Sequence, residues 1–335
     1  MTIRLAIIGA GIMGSDHARI FTSEIPGGRV QVVCDASPER AAVLAGSVGA
    51  ADVMTDPEAA IRRADVDAVV VASPDFTHAP LSLACIAAGK PVLCEKPLSQ
   101  SSAECRQVTA AEMASGRRWV QLGFMRRYDQ SYVEMKAALA QGRIGRALMM
   151  HNFHRNVETP AADFTGAMAI TNSAPHEFDV VRHVLGTEYA AISAFQPQRS
   201  DARVAPVVMV LETTGGQLVT IEVNNNAAYG YDVRGELVGE TGSVQMIAPG
   251  YSRLDAALTQ SAVYDADWRG RYAEAYRRQN RDFLRFAATG EFPVIASDCW
   301  DGLAAATVAE AGVRALTESR RVAVELEAQP DFYAR

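Results

Sequence analysis

The stretch Ile3-Arg-Leu-Ala-Ile-Ile-Gly-Ala-Gly-Ile-Met-Gly14 decides the fold of the first part of the chain. Its first six residues are almost continuously apolar, which predicts a strand buried on both faces. The next six form a G-x-G-x-x-G turn, and a helical segment from Ser15 to Thr22 follows. Strand, glycine turn and helix in this order predict the start of a Rossmann domain, whose helix N-terminus binds the pyrophosphate of a dinucleotide.

A second predicted strand, Val30 to Cys34, supplies the context that this turn needs. It ends in Asp35, about 20 residues beyond the turn, where a carboxylate accepts hydrogen bonds from the ribose of NAD and repels the 2′-phosphate of NADP. Ser37 and Arg40 follow closely and could accommodate a phosphate, so NADP stays open as the alternative cofactor. We therefore predict an NAD site that includes Gly9, Gly11, Ile12, Met13, Gly14 and Asp35.

Predicted strands then alternate with predicted helices as far as residue 124, which favours right-handed βαβ units and a parallel sheet. Beyond that point the strand-like runs follow one another through tight turns at Gly215-Gly216 and Thr241-Gly242, which predicts a mostly antiparallel meander. The predicted fold is α/β: an N-terminal Rossmann domain with a doubly wound parallel sheet, then an α+β domain with an open, mostly antiparallel sheet. We place the domains at residues 1–122 and 123–335, with a helix at about 300–318 that could pack back on the first domain.

Polar residues stand at the carboxyl ends of two predicted strands, where ligands bind in open α/β sheets. Glu95 and Lys96 follow the buried run Val92 to Cys94 directly. A charged pair at such a point costs desolvation unless something there uses it. Ser73, Pro74, Asp75 and His78 follow another strand, and together with Glu95 and Lys96 they are predicted to contact the cofactor.

The composition excludes several classes of function. A formal net charge of −7 over 335 residues argues against a nucleic-acid partner. No apolar run reaches the roughly 20 residues of a membrane helix, and the start of the chain does not resemble a signal peptide. The 5 cysteines contain no Cys-x-x-Cys pair, which favours reduced thiols and a cytoplasmic protein.

A metal site is not expected from the histidines. His151 and His154 are three residues apart on a predicted strand, so they point to opposite faces. No cluster of cysteines or carboxylates completes a coordination shell with His176. We therefore predict no metal.

The chain resembles the Gfo/Idh/MocA family of oxidoreductases over nearly its whole length. The glycine turn and Glu95-Lys96-Pro97 are shared across that family. The segments 123–129, 154–156 (His-Arg-Asn) and 176–179 (His-Glu-Phe-Asp) are similar to its inositol dehydrogenase branch. The resemblance implies an active site between the two domains and a homo-oligomer, a dimer or tetramer, formed through the C-terminal sheet.

The resemblance also implies the site residues. Lys96 would contact the reacting hydroxyl, and His176 would be the acid/base group, as its pKa range also suggests. The family has an aspartate four residues before that histidine, but Asn172 stands here, which can orient the imidazole ring without stabilising its charge. Asp179, one helical turn beyond His176, could supply part of that charge. The implied substrate contacts are Met125, Arg126, His154, Asn156, Asp179 and Tyr231.

Together these features predict an NAD-dependent dehydrogenase of a small polyhydroxylated substrate, most simply the oxidation of myo-inositol to 2-keto-myo-inositol. Another polyol or sugar, such as scyllo-inositol, glucose or levoglucosan, is the alternative within the same class. From a different class, the chain could be a non-catalytic dinucleotide-binding regulator of a sugar pathway. Lys96 and His176 favour the enzyme, because a sensor has no need of them.

Overall fold

Two compact units make up the chain, and each has a sheet of its own. The computed structural model describes residues 2–247 and 252–334. The first unit comprises Met1–Tyr128, Glu274–Ala306 and Glu327–Arg335, and the second comprises Asp129–Ala273 and Thr307–Leu326. The predicted boundary between residues 122 and 123 stays a prediction about independently folding domains.

A parallel sheet of six strands forms the first unit, which confirms the predicted Rossmann fold. Its order is β3-β2-β1-β4-β5-β6, so the strand order reverses between β1 and β4 and ligands are expected at the carboxyl ends there. The strands are β1 (Ile3–Ile8), β2 (Gly28–Cys34), β3 (Asp52–Met54), β4 (Ala68–Val71), β5 (Val92–Cys94) and β6 (Val120–Leu122). The helices between them are α1 (Ile12–Arg19), α2 (Pro38–Val48), α3 (Pro57–Arg62), α4 (His78–Ala87) and α5 (Ser102–Ala114).

Local sequence explains where these helices begin and end. The side chains of Ser37, Asp56 and Ser101 each accept a hydrogen bond from the backbone N–H three residues later and so cap α2, α3 and α5. Gly49, with φ of 66°, ends α2 in the left-handed conformation. The short, continuously apolar strands are buried on both faces, as β1 shows with five of its six residues in the core.

The second unit is built on a seven-stranded mixed sheet of order β12-β11-β7-β10-β9-β8-β15. Its strands are β7 (Ala147–Arg155), β8 (Tyr189–Phe195), β9 (Val207–Thr213), β10 (Leu218–Asn224), β11 (Asp232–Gly239), β12 (Ser243–Gln245) and β15 (Val322–Ala323). A separate hairpin is formed by β13 (Arg253–Ala256) and β14 (Thr259–Ala262). The helices that follow α5 along the chain are α6 (Gln130–Ala140), α7 (Gly166–Met168), α8 (Pro175–Leu185), α9 (Trp268–Thr289) and α10 (Cys299–Glu318).

The prediction of a simple meander is wrong at β7. This strand lies between β10 and β11 and runs parallel to β10. The chain from β7 to β10 includes α7, α8, β8 and β9, so β7 pairs with strands that are distant from it in sequence. The other neighbouring pairs of the sheet are antiparallel, which confirms the mostly antiparallel character. The alanine-rich strand β8 was not predicted, since Tyr-Ala-Ala-Ile-Ser-Ala-Phe has few β-branched residues.

Two bulk properties of the described residues bear on function. None of the helices within residues 2–247 and 252–334 is long and apolar enough to cross a membrane. All five cysteines belong to this part of the chain; they are buried, and within it they form no disulfide.

Candidate active site

The glycine turn between β1 and α1 has the geometry of a pyrophosphate cradle. Gly9 has φ of 101°, and a Cβ atom there would lie 2.4 Å from the carbonyl oxygen of Ala72. A Cβ at Gly14 would lie 1.8 Å from the carbonyl oxygen of Gly9, so helix and turn pack too closely for any other residue. Gly11 has no atom within 4 Å of such a Cβ and leaves open space beside the N-terminus of α1, where Ile12 and Met13 begin the helix. These residues fit a bound dinucleotide.

Asp35 closes this cradle at the end of β2. Its carboxylate accepts hydrogen bonds from the backbone N–H groups of Ala10 (2.7 Å) and Ser37 (2.8 Å) and from Nη2 of Arg40 (2.8 Å). Burial raises the pKa of Asp35, but these hydrogen bonds outweigh it and hold that pKa below its usual range. An ionised carboxylate at this point suits the ribose hydroxyls of NAD. Arg40 is a charged neighbour of this carboxylate that could turn to a 2′-phosphate.

The segment after β4 folds back on itself. The hydroxyl groups of Ser73 and Thr77 are 2.6 Å apart, and Asp75, the first residue of a short 3-10 turn, accepts a hydrogen bond from Gln100 at 3.2 Å. Pro74 is exposed at the edge of the sheet. His78, whose contact with the cofactor stays a prediction, is buried with both ring nitrogens directed at backbone carbonyl groups, those of Ser73 and Pro97.

At the end of β5 the two charged residues have different surroundings. Glu95 is buried, and its Oε1 atom is 2.9 Å from Nε2 of His17 on α1, while Oε2 accepts the backbone N–H of Lys96 at 3.2 Å. Burial raises the pKa of Glu95, but His17 and the charge of Lys96 outweigh it and lower that pKa. Lys96 is half-buried. The Glu95 carboxylate therefore anchors the end of the strand inside the protein.

His17 connects Glu95 and Asn280 in a buried chain of polar groups that was not predicted from the sequence. Its other ring nitrogen, Nδ1, is 3.1 Å from Oδ1 of Asn280 on α9. The chain thus connects the helix of the glycine turn to the strand end that carries Lys96. A signal existed in the sequence, since His17 lies three residues beyond Gly14, on the first helix of the predicted cradle. Its partners were not readable, because they lie 78 and 263 residues away.

Met125 and Arg126 lie in a 3-10 turn (Met125–Tyr128) that follows β6 in the first unit. Both are buried, with 2% and 1% of their surface exposed. The adjacent Arg127 forms a 2.8 Å ion pair with Asp301. Both arginines are therefore buried in the first unit.

In the second unit, the predicted residues His154, His176 and Tyr231 lie together. The alternation of β7 places His154 on the covered face of the sheet, with 5% of its surface exposed. Its ring makes T-shaped contacts with the rings of His176 and Tyr231, at centroid distances of 6.4 and 6.1 Å. Tyr231 is held by the hydrogen bond from its backbone N–H to the carbonyl of Asp265. Two imidazoles and a phenol thus form one polar wall.

Glu177, which was not predicted as a site residue, stabilises this wall. Its Oε2 atom is 3.2 Å from Nδ1 of His154, and the Glu177 side chain is fully buried. A carboxylate can only accept, so the hydrogen lies on Nδ1 of His154 and the Nε2 atom carries the lone pair when the ring is neutral. The His-Glu-Phe-Asp segment was a signal for Glu177, but it does not show which side chain Glu177 contacts.

Three further predicted residues of this unit, Asn156, Asn172 and Asp179, lie within four residues of His154 or His176 along the chain. Asn172 belongs to a single π-helical turn (Ala169–Ser173) just before α8, and its Oδ1 atom accepts a hydrogen bond from the hydroxyl of Thr171 at 2.8 Å. Asp179 is fully buried one turn beyond His176. Asn156 follows β7 and its backbone bonds to Asn224 and Ala227.

The histidines of β7 lie on different faces, as predicted. His151 is half-buried, 2.8 Å from the hydroxyl of Thr220, whereas His154 is on the covered face. Within residues 2–247 and 252–334, no group of three or more His, Cys, Asp or Glu side chains is arranged to hold a metal ion.

The sequence of both units matches one protein family. Residues 3–124 match the model of an oxidoreductase family with an NAD-binding Rossmann fold, and residues 132–245 match the GFO/IDH/MocA C-terminal domain. The chain belongs to the Gfo/Idh/MocA family. It is an NAD-dependent oxidoreductase, which confirms the resemblance and the predicted cofactor class.

Several relatives are similar to this Gfo/Idh/MocA protein over their full length. Inositol 2-dehydrogenase 1 of Saccharopolyspora erythraea is 46% identical over 338 residues, with 99% of each chain covered. Inositol 2-dehydrogenase of Streptomyces avermitilis is 40% identical, with 99% of this chain and 97% of that protein covered. The crystal structure of myo-inositol dehydrogenase from Lactobacillus casei in complex with NAD(H) and myo-inositol has a TM-score of 0.95 at 30% identity and covers 100% of both chains.

Proposed function

We propose that this protein oxidises a secondary hydroxyl group of a cyclitol, most simply myo-inositol to 2-keto-myo-inositol. The observation that carries the proposal is the buried wall of His154, His176 and Tyr231. A polyhydroxylated ring needs a hydrogen-bond partner for each buried hydroxyl, and this wall offers several. Support comes from the full-length similarity to a myo-inositol dehydrogenase that was crystallised with NAD(H) and myo-inositol.

Two residues are proposed to carry the chemistry. Lys96 provides a fixed positive charge that stabilises the oxygen as it loses its proton. His176 receives that proton on its imidazole, whose ordinary pKa lies near neutrality. NAD, when bound, supplies the acceptor for the hydride that leaves the same carbon. Loss of one proton and one hydride converts the secondary alcohol to a ketone.

The other proposed residues bind and orient. Asn172, in the turn before α8, is proposed to orient His176. The buried carboxylate of Asp179, which lies on α8 with His176, is proposed to supply negative charge near the imidazole ring. Met125, Arg126, Asn156 and Tyr231 are proposed substrate contacts, and Ser73, Pro74 and Asp75 proposed cofactor contacts.

The test is the growth of absorbance from reduced nicotinamide with the purified protein, NAD and a panel of myo-inositol, scyllo-inositol, glucose and levoglucosan. We expect myo-inositol to be turned over fastest. Lys96→Ala should lose about 10³-fold in kcat, the range of a lost oxyanion partner, and His176→Ala about 10²–10⁴-fold. Lys136→Ala, which removes an exposed lysine of α6, is the matched control and should keep the wild-type rate.

Other outcomes would redirect the proposal. Turnover of another polyol alone would keep the dehydrogenase and change its substrate. NAD binding without turnover of any member of the panel would favour the regulator.

A homo-oligomer through the C-terminal sheet is also proposed. Phe195 and Val208 are directly paired across β8 and β9, and both are exposed, at 59% and 39%. Exposed apolar pairs on an open sheet face favour association. Light scattering of the wild-type protein and of Phe195→Glu should show loss of the oligomer in the variant.

A further inference from the structure

His78 begins α4 and is almost completely buried, with 1% of its surface exposed. Its Nδ1 atom is 2.7 Å from the carbonyl oxygen of Pro97, and its Nε2 atom is 2.8 Å from the carbonyl oxygen of Ser73. A carbonyl oxygen only accepts hydrogen bonds, so both ring nitrogens must donate. A neutral imidazole has one N–H group and cannot do this. Turning the ring over would place C–H groups at these oxygens and would lose both bonds.

We propose that His78 is a buried imidazolium that donates hydrogen bonds both to the backbone after β4 and to the backbone after β5. It thereby holds these two segments together and positions Lys96 and the edge of the sheet that faces the cofactor. Ser73 follows β4, and Pro97 is the residue next to Lys96. Since β4 and β5 are neighbouring parallel strands, both carbonyl groups lie at the same edge of the sheet. His78 is thus a positioning residue, which acts through the backbone on either side of the site.

The charged and titratable groups that face His78 favour the cation. The carboxylate of Asp75 in the 3-10 turn supplies opposite charge, and the sulfur of Cys94 on β5, whose S–H donates to the carbonyl of Glu95 at 3.3 Å, is a second titratable neighbour. Burial lowers the pKa of His78, but Cys94, the Pro97 carbonyl and Asp75 outweigh it and raise that pKa to about 9. A buried charge is retained where hydrogen bonds and opposite charge compensate its desolvation, and His78 has both.

The protonation of His78 can be measured separately from its effect on turnover. The protonation of His78 and its effect on NAD binding are independent of the substrate. Its effect on turnover through Lys96 rests on the proposed function. The experiment therefore reads protonation, NAD binding and turnover separately.

Protonation is measured by nitrogen-detected NMR of the wild-type protein at about pH 8, with and without NAD. An ordinary histidine, with a pKa of about 6.5, is neutral there and shows two widely separated ring-nitrogen shifts. We expect His78, assigned through its backbone resonances, to show two similar shifts that mark both nitrogens as protonated. Widely separated ring-nitrogen shifts for His78 would overturn the proposal, regardless of the NAD affinity or turnover of any variant.

Positioning is measured with His78→Gln and His78→Lys. The carboxamide of glutamine is neutral, and its two N–H donors share one nitrogen instead of standing at the two ring positions that face the carbonyls, whereas lysine keeps a positive charge. We expect His78→Gln to raise the Kd of NAD about tenfold, the effect of roughly one lost hydrogen bond, and to lower kcat with little change in the KM of the polyol. His78→Lys should recover part of the lost affinity.

The matched control is His151→Gln, which removes a half-buried histidine bonded to a hydroxyl and should leave NAD binding unchanged. A Kd for NAD within about twofold of wild type in His78→Gln, or an equal loss in His78→Lys, would overturn the positioning role. If the wild-type protein oxidises no polyol, the proposed function fails, while the NMR and NAD-binding measurements still decide the role of His78.

Discussion

The Nδ1 atom of His154 lies 3.2 Å from Oε2 of Glu177, and both side chains are buried. The two residues come from β7 and α8, so this contact joins the sheet to the helix that carries His176. A buried carboxylate beside an imidazole fixes the proton on the facing nitrogen, which leaves the opposite nitrogen as an acceptor. The polarity of this wall, which is the proposed substrate contact, therefore depends on Glu177, a residue that itself need not touch the substrate.

The first prediction concerns Glu177→Gln. The carboxamide can turn its N–H group toward Nδ1 of His154 and so reverse the donor and acceptor roles of that ring. We expect the KM of the polyol to rise about tenfold while the Kd of NAD is unchanged. Steady-state kinetics and NAD titration measure both. Glu188→Gln is the control, since Glu188 pairs with Arg182 in the same unit but is partly exposed; an equal KM effect there would contradict a specific role of Glu177.

The second prediction concerns cofactor choice. Asp35→Ser removes the ribose acceptor and the negative charge, and it releases Arg40 from its 2.8 Å ion pair. We expect NAD affinity to fall about tenfold and NADP affinity to rise by a similar factor, measured by titration of both cofactors. In Asp35→Ser/Arg40→Ala the gain for NADP should disappear. An unchanged ratio of the two affinities in Asp35→Ser would remove this assignment.

The third prediction uses two glycines that both have open space at the Cβ position, Gly11 and Gly46. Gly11→Ala should leave the free energy of unfolding within about 0.5 kcal/mol of wild type. NAD binding should nevertheless weaken at least about tenfold, because the new methyl group occupies the approach of the pyrophosphate. Gly46→Ala, inside α2, should stabilise the protein by about 0.5–1 kcal/mol without any effect on NAD. Urea denaturation and NAD titration give the two readouts, and normal NAD binding by Gly11→Ala would count against the cradle.

The fourth prediction concerns Asn172→Asp. A carboxylate at this position would stabilise a charged imidazole at His176, and that raises the pKa of the acid/base group. Oxidation requires the neutral base, so the acidic limb of the pH profile of kcat should move to higher pH by up to about one unit. Asn172→Ser, which keeps a small neutral polar side chain, is the control. Superimposable pH profiles for Asn172→Asp and the wild type would argue that residue 172 does not act on the base.

The fifth prediction concerns stability and pH. The pKa of His78 is raised to about 9 in the folded protein, whereas the unfolded chain has the ordinary value of about 6.5. The stabilisation of the folded state by the protonated His78 is therefore fully present below about pH 6.5, and it is lost as the pH rises toward and through 9. It amounts to roughly 3 kcal/mol in total. Urea denaturation at several pH values should show this decline in the wild-type protein and not in His78→Gln; parallel slopes for the two proteins would contradict it.

Much of the fold could be predicted from local sequence. The apolar run Ile3 to Ile8, the glycine turn and the capping residues Ser37 and Asp56 each act within a few residues of their own position. Their combination predicts the Rossmann sheet and its ligand edge. Strand β7 was placed wrongly among its neighbours because pairing with β10 and β11 involves segments more than 60 residues away.

The residues themselves therefore determine the strands and helices, the dinucleotide cradle and the family, because propensity, capping and glycine geometry are local properties of the chain. Only the tertiary structure decides which buried polar groups meet: His17 with Glu95, His154 with Glu177, and His78 with the carbonyls of Ser73 and Pro97. Each of these contacts joins different elements, and a buried polar group takes whichever partner the packing brings within hydrogen-bond distance. No pattern within one element specifies that partner.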